Sequence, residues 1–177
     1  LNVENIELNL RKDSNADFTQ WFYFRLQGAR DQDATMRILN AGDATYPDGW
    51  MNYRAVASYD RENWFRVETE FDGKVMTIKH TPETDSVYYA YFEPYSWERH
   101  LALLGSVAQS EQVRVEDLGN TVDGRDLNVV VVGNPSAEKK VWIIARQHPG
   151  ETMAEWLVEG TLNALLDLSN PIARAIL

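Results

Sequence analysis

The sequence contains no cysteine, no long apolar run and few basic residues. The absence of cysteine excludes disulfide bonds and zinc sites made of thiolates, while it leaves the redox compartment undetermined. No apolar run approaches the roughly 20 residues that span a bilayer. The first residues, LNVENIELNLRKD, alternate in polarity rather than form the core of a signal peptide. We therefore expect a soluble protein located in the cytoplasm, without a membrane partner.

Basic residues are outnumbered by acidic ones, 17 to 27, which gives a formal net charge of -10. Nucleic acids and anionic membranes bind cationic surfaces, so this charge argues against both as partners. It does not exclude an acidic substrate, because one or two buried arginines can reverse the field locally. The 177 residues, 44% of them hydrophobic, suffice for a packed core in one large domain or two small ones.

Short segments of alternating polarity fill residues 1–95 and predict β-strands. They are rich in aromatic and β-branched residues, and turn signals such as Asp48-Gly49, Asp72-Gly73 and Pro82 separate them. The segments read VENIELNL, QWFYFRLQG, TMRILNAG, NWFRVETEF, KVMTIKHT and SVYYAYFEPY. Short strands at regular spacing are typical of an antiparallel β-sandwich, which is the fold that we predict for residues 1–95.

The sequence pattern changes to helical spacing near residue 96. The segment SWERHLALLGSVAQ carries an apolar stripe at helical intervals, and Ser96 is a suitable N-cap. We therefore predict a connecting helix over residues 96–110, which separates the sandwich from the rest of the chain.

Residues 111–177 alternate between strand and helix patterns. A hairpin is predicted across Asp123-Gly124, followed by a buried strand, KVWIIAR, and an amphipathic helix, MAEWLVEGTLNALLDL. Asn170-Pro171 then begins a further helix. The chain is thus predicted to be a two-domain α+β or α/β protein, whose second domain is incomplete at Leu177.

The residues best suited to bind a metal ion lie together in the segment RQHPGE, residues 146–151. An imidazole nitrogen of His148 and a carboxylate oxygen of Glu151 are both good zinc ligands, at about 2.0–2.2 Å. Pro149 and Gly150 shape a turn in which side chains three residues apart can converge. A hydrolytic zinc site typically has three protein ligands and a water, and only two ligands stand here. Arg146 is a candidate for substrate binding or for a structural ion pair.

A structural interpretation of these residues competes with the metal site. His and Glu three residues apart often form only a solvated pair. The other histidines, His80 and His100, are expected to be surface or hydrogen-bonded residues rather than ligands. Glu155 and Glu159 fall on one row of the predicted helix, and we expect that row to face solvent.

Three segments together resemble the cytosolic carboxypeptidase branch of the zinc carboxypeptidases: RQHPGETMAEW, DGRDLNVVVVG and YFEPYSWERHLALL. The resemblance implies a small β-sandwich domain before a catalytic α/β domain, with His148 and Glu151 as ligands of one zinc ion. It also implies a later histidine ligand, an Asn-Arg pair and a late glutamate as general base, all expected after Leu177. Digestive carboxypeptidases have a substrate-binding arginine where this chain has Gly150, which favours the cytosolic branch.

The resemblance implies hydrolysis of C-terminal peptide or isopeptide bonds in peptides or proteins, with acidic residues removed. Two alternatives remain open at this point. One is a zinc amidohydrolase similar to aspartoacylase, which uses a similar His and Glu pair. The other is a non-catalytic interaction protein that acts through the sandwich domain. The residues that follow Leu177 in a complete protein would distinguish the three.

Overall fold

A computed structural model describes residues 2–177. The chain divides into two compact units, Leu1–Pro94 and Tyr95–Leu177. The predicted helix of residues 96–110 falls within the second unit, and the domain boundaries drawn from the sequence stay a prediction.

Two four-stranded sheets form the first unit. The strands are β1 (Ile6–Leu8), β2 (Tyr23–Gln27), β3 (Ala34–Ile38), β4 (Val56–Ser58), β5 (Phe65–Arg66), β6 (Glu68–Phe71), β7 (Met76–His80) and β8 (Ser86–Ala90). In the first sheet the order is β1-β3-β7-β6, and in the second it is β2-β8-β4-β5. Two short 3-10 helices, Ala41–Asp43 and Pro47–Trp50, connect β3 to β4.

The core of the first unit follows from the alternation of side chains along its strands. In β3, Met36 and Ile38 are buried while Arg37 between them is partly exposed. In β7, Met76 and Ile78 repeat this pattern, since successive side chains of a strand point to opposite faces. Trp50 is buried with them, and its indole nitrogen donates to the carbonyl of Ala41 at 2.9 Å. The predicted sandwich fold of this region is confirmed.

One strand pairing departs from the predicted antiparallel arrangement. β1 pairs with β3 in parallel, with Ile6 opposite Met36, whereas the other pairings described in the first unit are antiparallel. The chain passes from β1 into β2, which belongs to the other sheet, before it returns as β3. Parallel neighbours require such a crossover, because a tight hairpin reverses the direction of the chain.

Helices and one hairpin form the second unit. Its elements are α1 (Trp97–Val107), β9 (Val113–Asn120), β10 (Asp126–Val132), α2 (Thr152–Leu166) and α3 (Pro171–Ile176). The predicted hairpin is confirmed, with Gly124 at a positive φ of 75° in its turn. Ser96 accepts a hydrogen bond from the amide of Arg99 at the start of α1, as an N-cap does.

The segment 140–146 is not the buried strand that its sequence predicts. No strand is assigned there, and four of its apolar side chains are at least 60% exposed: Val141, Trp142, Ile143 and Ile144. A strand needs a neighbour to pair with its amides and carbonyls. Within residues 2–177, β9 and β10 pair only with each other. The expectation that His148 follows a buried strand is therefore wrong for this structure.

The helices of the described residues are too short or too polar to cross a membrane.

Candidate metal centre

The loop that carries His148 and Glu151 leads directly into α2. Arg146 begins the loop with a positive φ of 54°. The amide of Glu151 closes the turn by donating to the carbonyl of His148 at 3.0 Å. Glu151 occupies the N-cap position of α2, but its side chain makes no capping hydrogen bond. Its carboxylate is therefore available to the imidazole three residues earlier.

The two predicted ligand atoms face each other. Nδ1 of His148 lies 3.2 Å from Oε1 of Glu151, and the side chains are 77% and 55% exposed. Two ligand atoms of a tetrahedral zinc ion lie about 3.3 Å apart at ordinary bond lengths. The spacing and the pair of donor atoms therefore fit zinc. A solvated histidine and glutamate pair has the same spacing, so the choice between them depends on the family of the chain.

A complete metal site is not formed by the described residues. Within residues 2–177, no group of three or more His, Asp or Glu side chains is placed to hold a metal ion. In α1, Nδ1 of His100 lies 3.0 Å from Oε1 of Glu155. In the first unit, Nδ1 of His80 lies 2.8 Å from the hydroxyl of Tyr89, and burial lowers the pKa of His80. Both histidines are thus hydrogen-bonded, as the sequence predicts.

The guanidinium of Arg146 binds three acceptors of the second unit itself. Nε donates to the carbonyl of Pro149 at 3.1 Å. Nη1 donates to the carbonyl of Tyr95 at 2.8 Å and to Oε2 of Glu155 at 2.5 Å. The structural ion pair that was predicted as one role for Arg146 is therefore present, with Glu155 as its partner. A contact of Arg146 with substrate stays a prediction.

The glutamate row of α2 does not face solvent, so this prediction is wrong. The side chains of Glu155 and Glu159 are only 16% and 17% exposed. The row faces α1, whose Arg99 and His100 supply its partners. Charged side chains can be buried when they are paired and hydrogen-bonded. The helical pattern shows that these glutamates share a face, but it does not show that another helix brings cations to that face.

A second ion pair lies one helical turn beyond Glu155. Arg99 binds Glu159 through two hydrogen bonds, from Nε at 2.9 Å and from Nη2 at 2.6 Å, and Tyr95 donates its hydroxyl at 2.7 Å. The hydrogen bonds from Arg99 lower the pKa of Glu159. Burial raises the pKa of Tyr95, and its hydrogen bond to Glu159 adds to this effect. The guanidinium of Arg99 also lies 4.0 Å from the ring centroid of Trp156, a cation–π contact.

Thr152, the first residue of α2, was not singled out by its sequence pattern. Its side chain is buried, and no hydrogen-bond partner for its hydroxyl oxygen occurs in the described part of the chain. Buried hydroxyls are usually paired. The sequence around a threonine at the start of an amphipathic helix does not indicate whether its hydroxyl will be hydrogen-bonded.

Models of two protein families match this chain. The cytosolic carboxypeptidase N-terminal domain matches residues 1–92, which include the strands of both sheets of the first unit. The zinc carboxypeptidase family matches residues 100–177, which include His148 and Glu151. The two-sheet unit and the segment with His148 and Glu151 thus match the two parts of one class of metallocarboxypeptidase.

Relatives and solved structures agree with this class. The chain is 43% identical to an uncharacterised protein of Zymomonas mobilis, over 97% of this chain and 44% of the relative. It is 30% identical to cytosolic carboxypeptidase 2 of Macaca fascicularis, over 92% of this chain and 23% of the relative. A metallo-carboxypeptidase of Burkholderia cenocepacia superposes with a TM-score of 0.93 at 55% identity, over 97% of this chain and 47% of that structure.

The chain therefore belongs to the zinc carboxypeptidase family, in its cytosolic carboxypeptidase branch. It spans less than half the length of each of these three proteins.

Proposed function

We propose that the complete protein is a zinc-dependent metallocarboxypeptidase in which His148 and Glu151 are two of the zinc ligands. The observation that carries the proposal is the 3.2 Å separation of His148 Nδ1 and Glu151 Oε1, in a segment that matches the zinc carboxypeptidase family. Family membership favours the metal site over a solvated pair, because both residues lie at the positions where the family resemblance implies ligands.

Each of the two side chains has a separate role in this proposal. His148 offers Nδ1 as a neutral donor, so that nitrogen is unprotonated when it binds. Glu151 offers an anionic oxygen, which offsets part of the charge of a divalent cation. Zinc, when bound, supplies a Lewis acid for the scissile carbonyl and an activated water. The third ligand and the general base come, in this proposal, from residues that follow Leu177 in the complete protein.

The proposed substrate is the C-terminus of a peptide or protein, cleaved at a peptide or isopeptide bond. A preference for acidic C-terminal residues rests on the resemblance to the cytosolic branch alone. The names of the relatives likewise support a cytoplasmic location. Nε and Nη1 of Arg146 already donate to Pro149, Tyr95 and Glu155, so in this proposal a substrate carboxylate would bind through Nη2.

Two substitutions in the complete protein test the proposal. We expect His148→Ala and Glu151→Gln to abolish release of C-terminal residues, because each removes a ligand or weakens it. Both variants should keep the circular dichroism spectrum of the parent protein, since both side chains are exposed. Glu98→Gln is the matched control. It removes an exposed carboxylate from the first turn of α1 and should leave activity unchanged.

The measurement is mass spectrometry of peptides ending in Glu, Asp, Lys or Phe, with and without a chelator. Zinc-dependent loss of terminal residues is the expected result. Cleavage of small N-acyl amino acids alone would identify a deacylase similar to aspartoacylase. A metal-replete complete protein without any hydrolysis would favour the interaction protein.

A further inference from the structure

Arg146 combines a left-handed backbone conformation with a side chain that is mostly buried. Its backbone has a φ of 54°, a region that residues with a Cβ adopt at a cost in free energy. Its guanidinium is also largely withdrawn from solvent, with the side chain 28% exposed. A strained backbone persists only where the surrounding contacts hold it in place. The contacts of the Arg146 side chain therefore show which parts of the structure hold this conformation.

The first contact of the side chain lies inside the loop itself. Nε donates to the carbonyl of Pro149, 3.1 Å away, in the turn that His148 and Glu151 enclose. This bond folds the arginine side chain back along the loop. The turn is therefore held by two hydrogen bonds, one from Arg146 and one between the backbone groups of Glu151 and His148.

The other contacts attach the loop to two helices. Nη1 donates to Glu155, which lies one helical turn after Glu151 in α2, and to the carbonyl of Tyr95, which lies just before α1. Glu155 is held in turn by Nδ1 of His100 in α1, 3.0 Å away. One planar guanidinium can satisfy all these acceptors because its N–H groups point in fixed directions.

We propose that Arg146 is a positioning residue, which holds the loop between His148 and Glu151 in the conformation that brings Nδ1 and Oε1 together. The inference rests on the proposed function of these two atoms as metal ligands. Residues that orient metal ligands typically change metal affinity by about 10- to 100-fold when they are replaced. Arg146 acts here through the loop and through Glu155, and this role requires no direct contact with metal or substrate.

The test compares Arg146→Met with Arg99→Met. Arg99 is a matched control, because its side chain is similarly exposed, at 31%, and pairs with Glu159, the glutamate one turn further along α2. Both variants lose a hydrogen-bonded ion pair and should lose similar thermal stability. Only Arg146→Met should weaken the affinity of the complete protein for zinc, by about tenfold or more. The affinity is measured by competition with a chelator.

A second measurement needs no metal. Amide hydrogen exchange on the 177-residue chain reports the bond from Glu151 to His148, and Arg146→Met should speed exchange at the Glu151 amide by about tenfold while Arg99→Met does not. Arg146→Lys should give a smaller change than Arg146→Met, since an ammonium can keep Glu155 but cannot reproduce the fork.

The outcomes separate this inference from the proposed function. If the complete protein binds no zinc that depends on His148, the proposed ligands are wrong. If it binds such zinc but Arg146→Met and Arg99→Met have equal affinity and equal exchange at Glu151, the positioning role is wrong. If Arg146→Met, but not Arg99→Met, shows faster exchange at Glu151 and weaker zinc binding, both the proposed ligands and the positioning role are supported.

Discussion

The individual residues of the second unit differ in how well their polar groups are paired. Near the start of α2, the side chain of Glu155 has two hydrogen-bonding partners from outside the helix. Thr152, three residues earlier, has none in the described part of the chain. An unpaired buried hydroxyl costs free energy, because it gives up water without a replacement.

Thr152→Val should therefore stabilise the second unit of this chain by about 1 kcal/mol, since valine has nearly the same shape without the hydroxyl. The free energy of opening is measured by native-state amide hydrogen exchange in α2. Thr161→Val serves as the control on the same helix. Its hydroxyl donates to the carbonyl of Leu157 at 2.8 Å, so its removal should give no gain. A loss of stability in Thr152→Val would mean that the hydroxyl has a partner.

Single residues also show why some features of the candidate site could be predicted from sequence. Ser96 and Asn170 cap helices, and Gly124 sits in a turn, because each depends only on its near neighbours in the chain. The His148 and Glu151 pair is local in the same sense. In contrast, Arg146 binds the carbonyl of Tyr95, 51 residues away in the sequence, and Glu155 pairs with His100, 55 residues away. No local pattern encodes such partners.

At the scale of elements, the contact between α1 and α2 contains ion pairs whose strength depends on pH. The pKa of Glu159 lies below its ordinary value of 4.5 in the folded chain, chiefly because Arg99 hydrogen-bonds its carboxylate. A carboxylate with a lowered pKa stabilises the folded state fully above its unfolded value, and this stabilisation is lost as the pH falls through the folded value.

We therefore expect Glu159→Gln to reduce the loss of stability of the second unit between about pH 5 and pH 3. Urea unfolding at a series of pH values gives the comparison, with hydrogen exchange in α2 to assign the change to this unit. Glu98→Gln, which removes an exposed carboxylate from α1, should change the pH profile much less. Identical profiles for Glu159→Gln and the parent chain would contradict the assigned ion pair.

Pairing between elements accounts for the two places where the predicted fold was wrong. The alternating pattern of β1 gives its buried face but not the direction of its neighbour, so the parallel pairing with β3 could not be read from it. The apolar run of residues 141–144 shows only that these side chains are suited to burial. A pattern of this kind does not show whether a partner strand is present to complete the pairing.

At the scale of the whole molecule, the two units differ in how much apolar surface they bury. The first has a continuous core drawn from both sheets, with Met36, Ile78 and Tyr89 fully buried. In the second, few of the described apolar side chains are buried, among them Leu162 and Ala173. Stability follows buried apolar area, so the units should differ in stability.

Residues 1–94 produced alone should therefore fold and unfold cooperatively. In the 177-residue chain, amides of β3 and β7 should exchange more slowly than those of α2, because they open only with the whole core. Mass spectrometry of exchanged peptides measures both. Equal protection in the two units would show that the second one has stability that its buried side chains do not explain.

The exposed segment of residues 141–144 also bears on self-association of the protein. An apolar run with high β-propensity and no charge is the kind of sequence that stacks with copies of itself. Lys139 and Lys140 directly precede this run, and both are exposed. In a parallel, in-register stack these lysines would lie about 4.8 Å from their copies in the next chain. Their repulsion opposes the stack. Lys139 and Lys140 should therefore reduce aggregation of the chain through this exposed apolar segment.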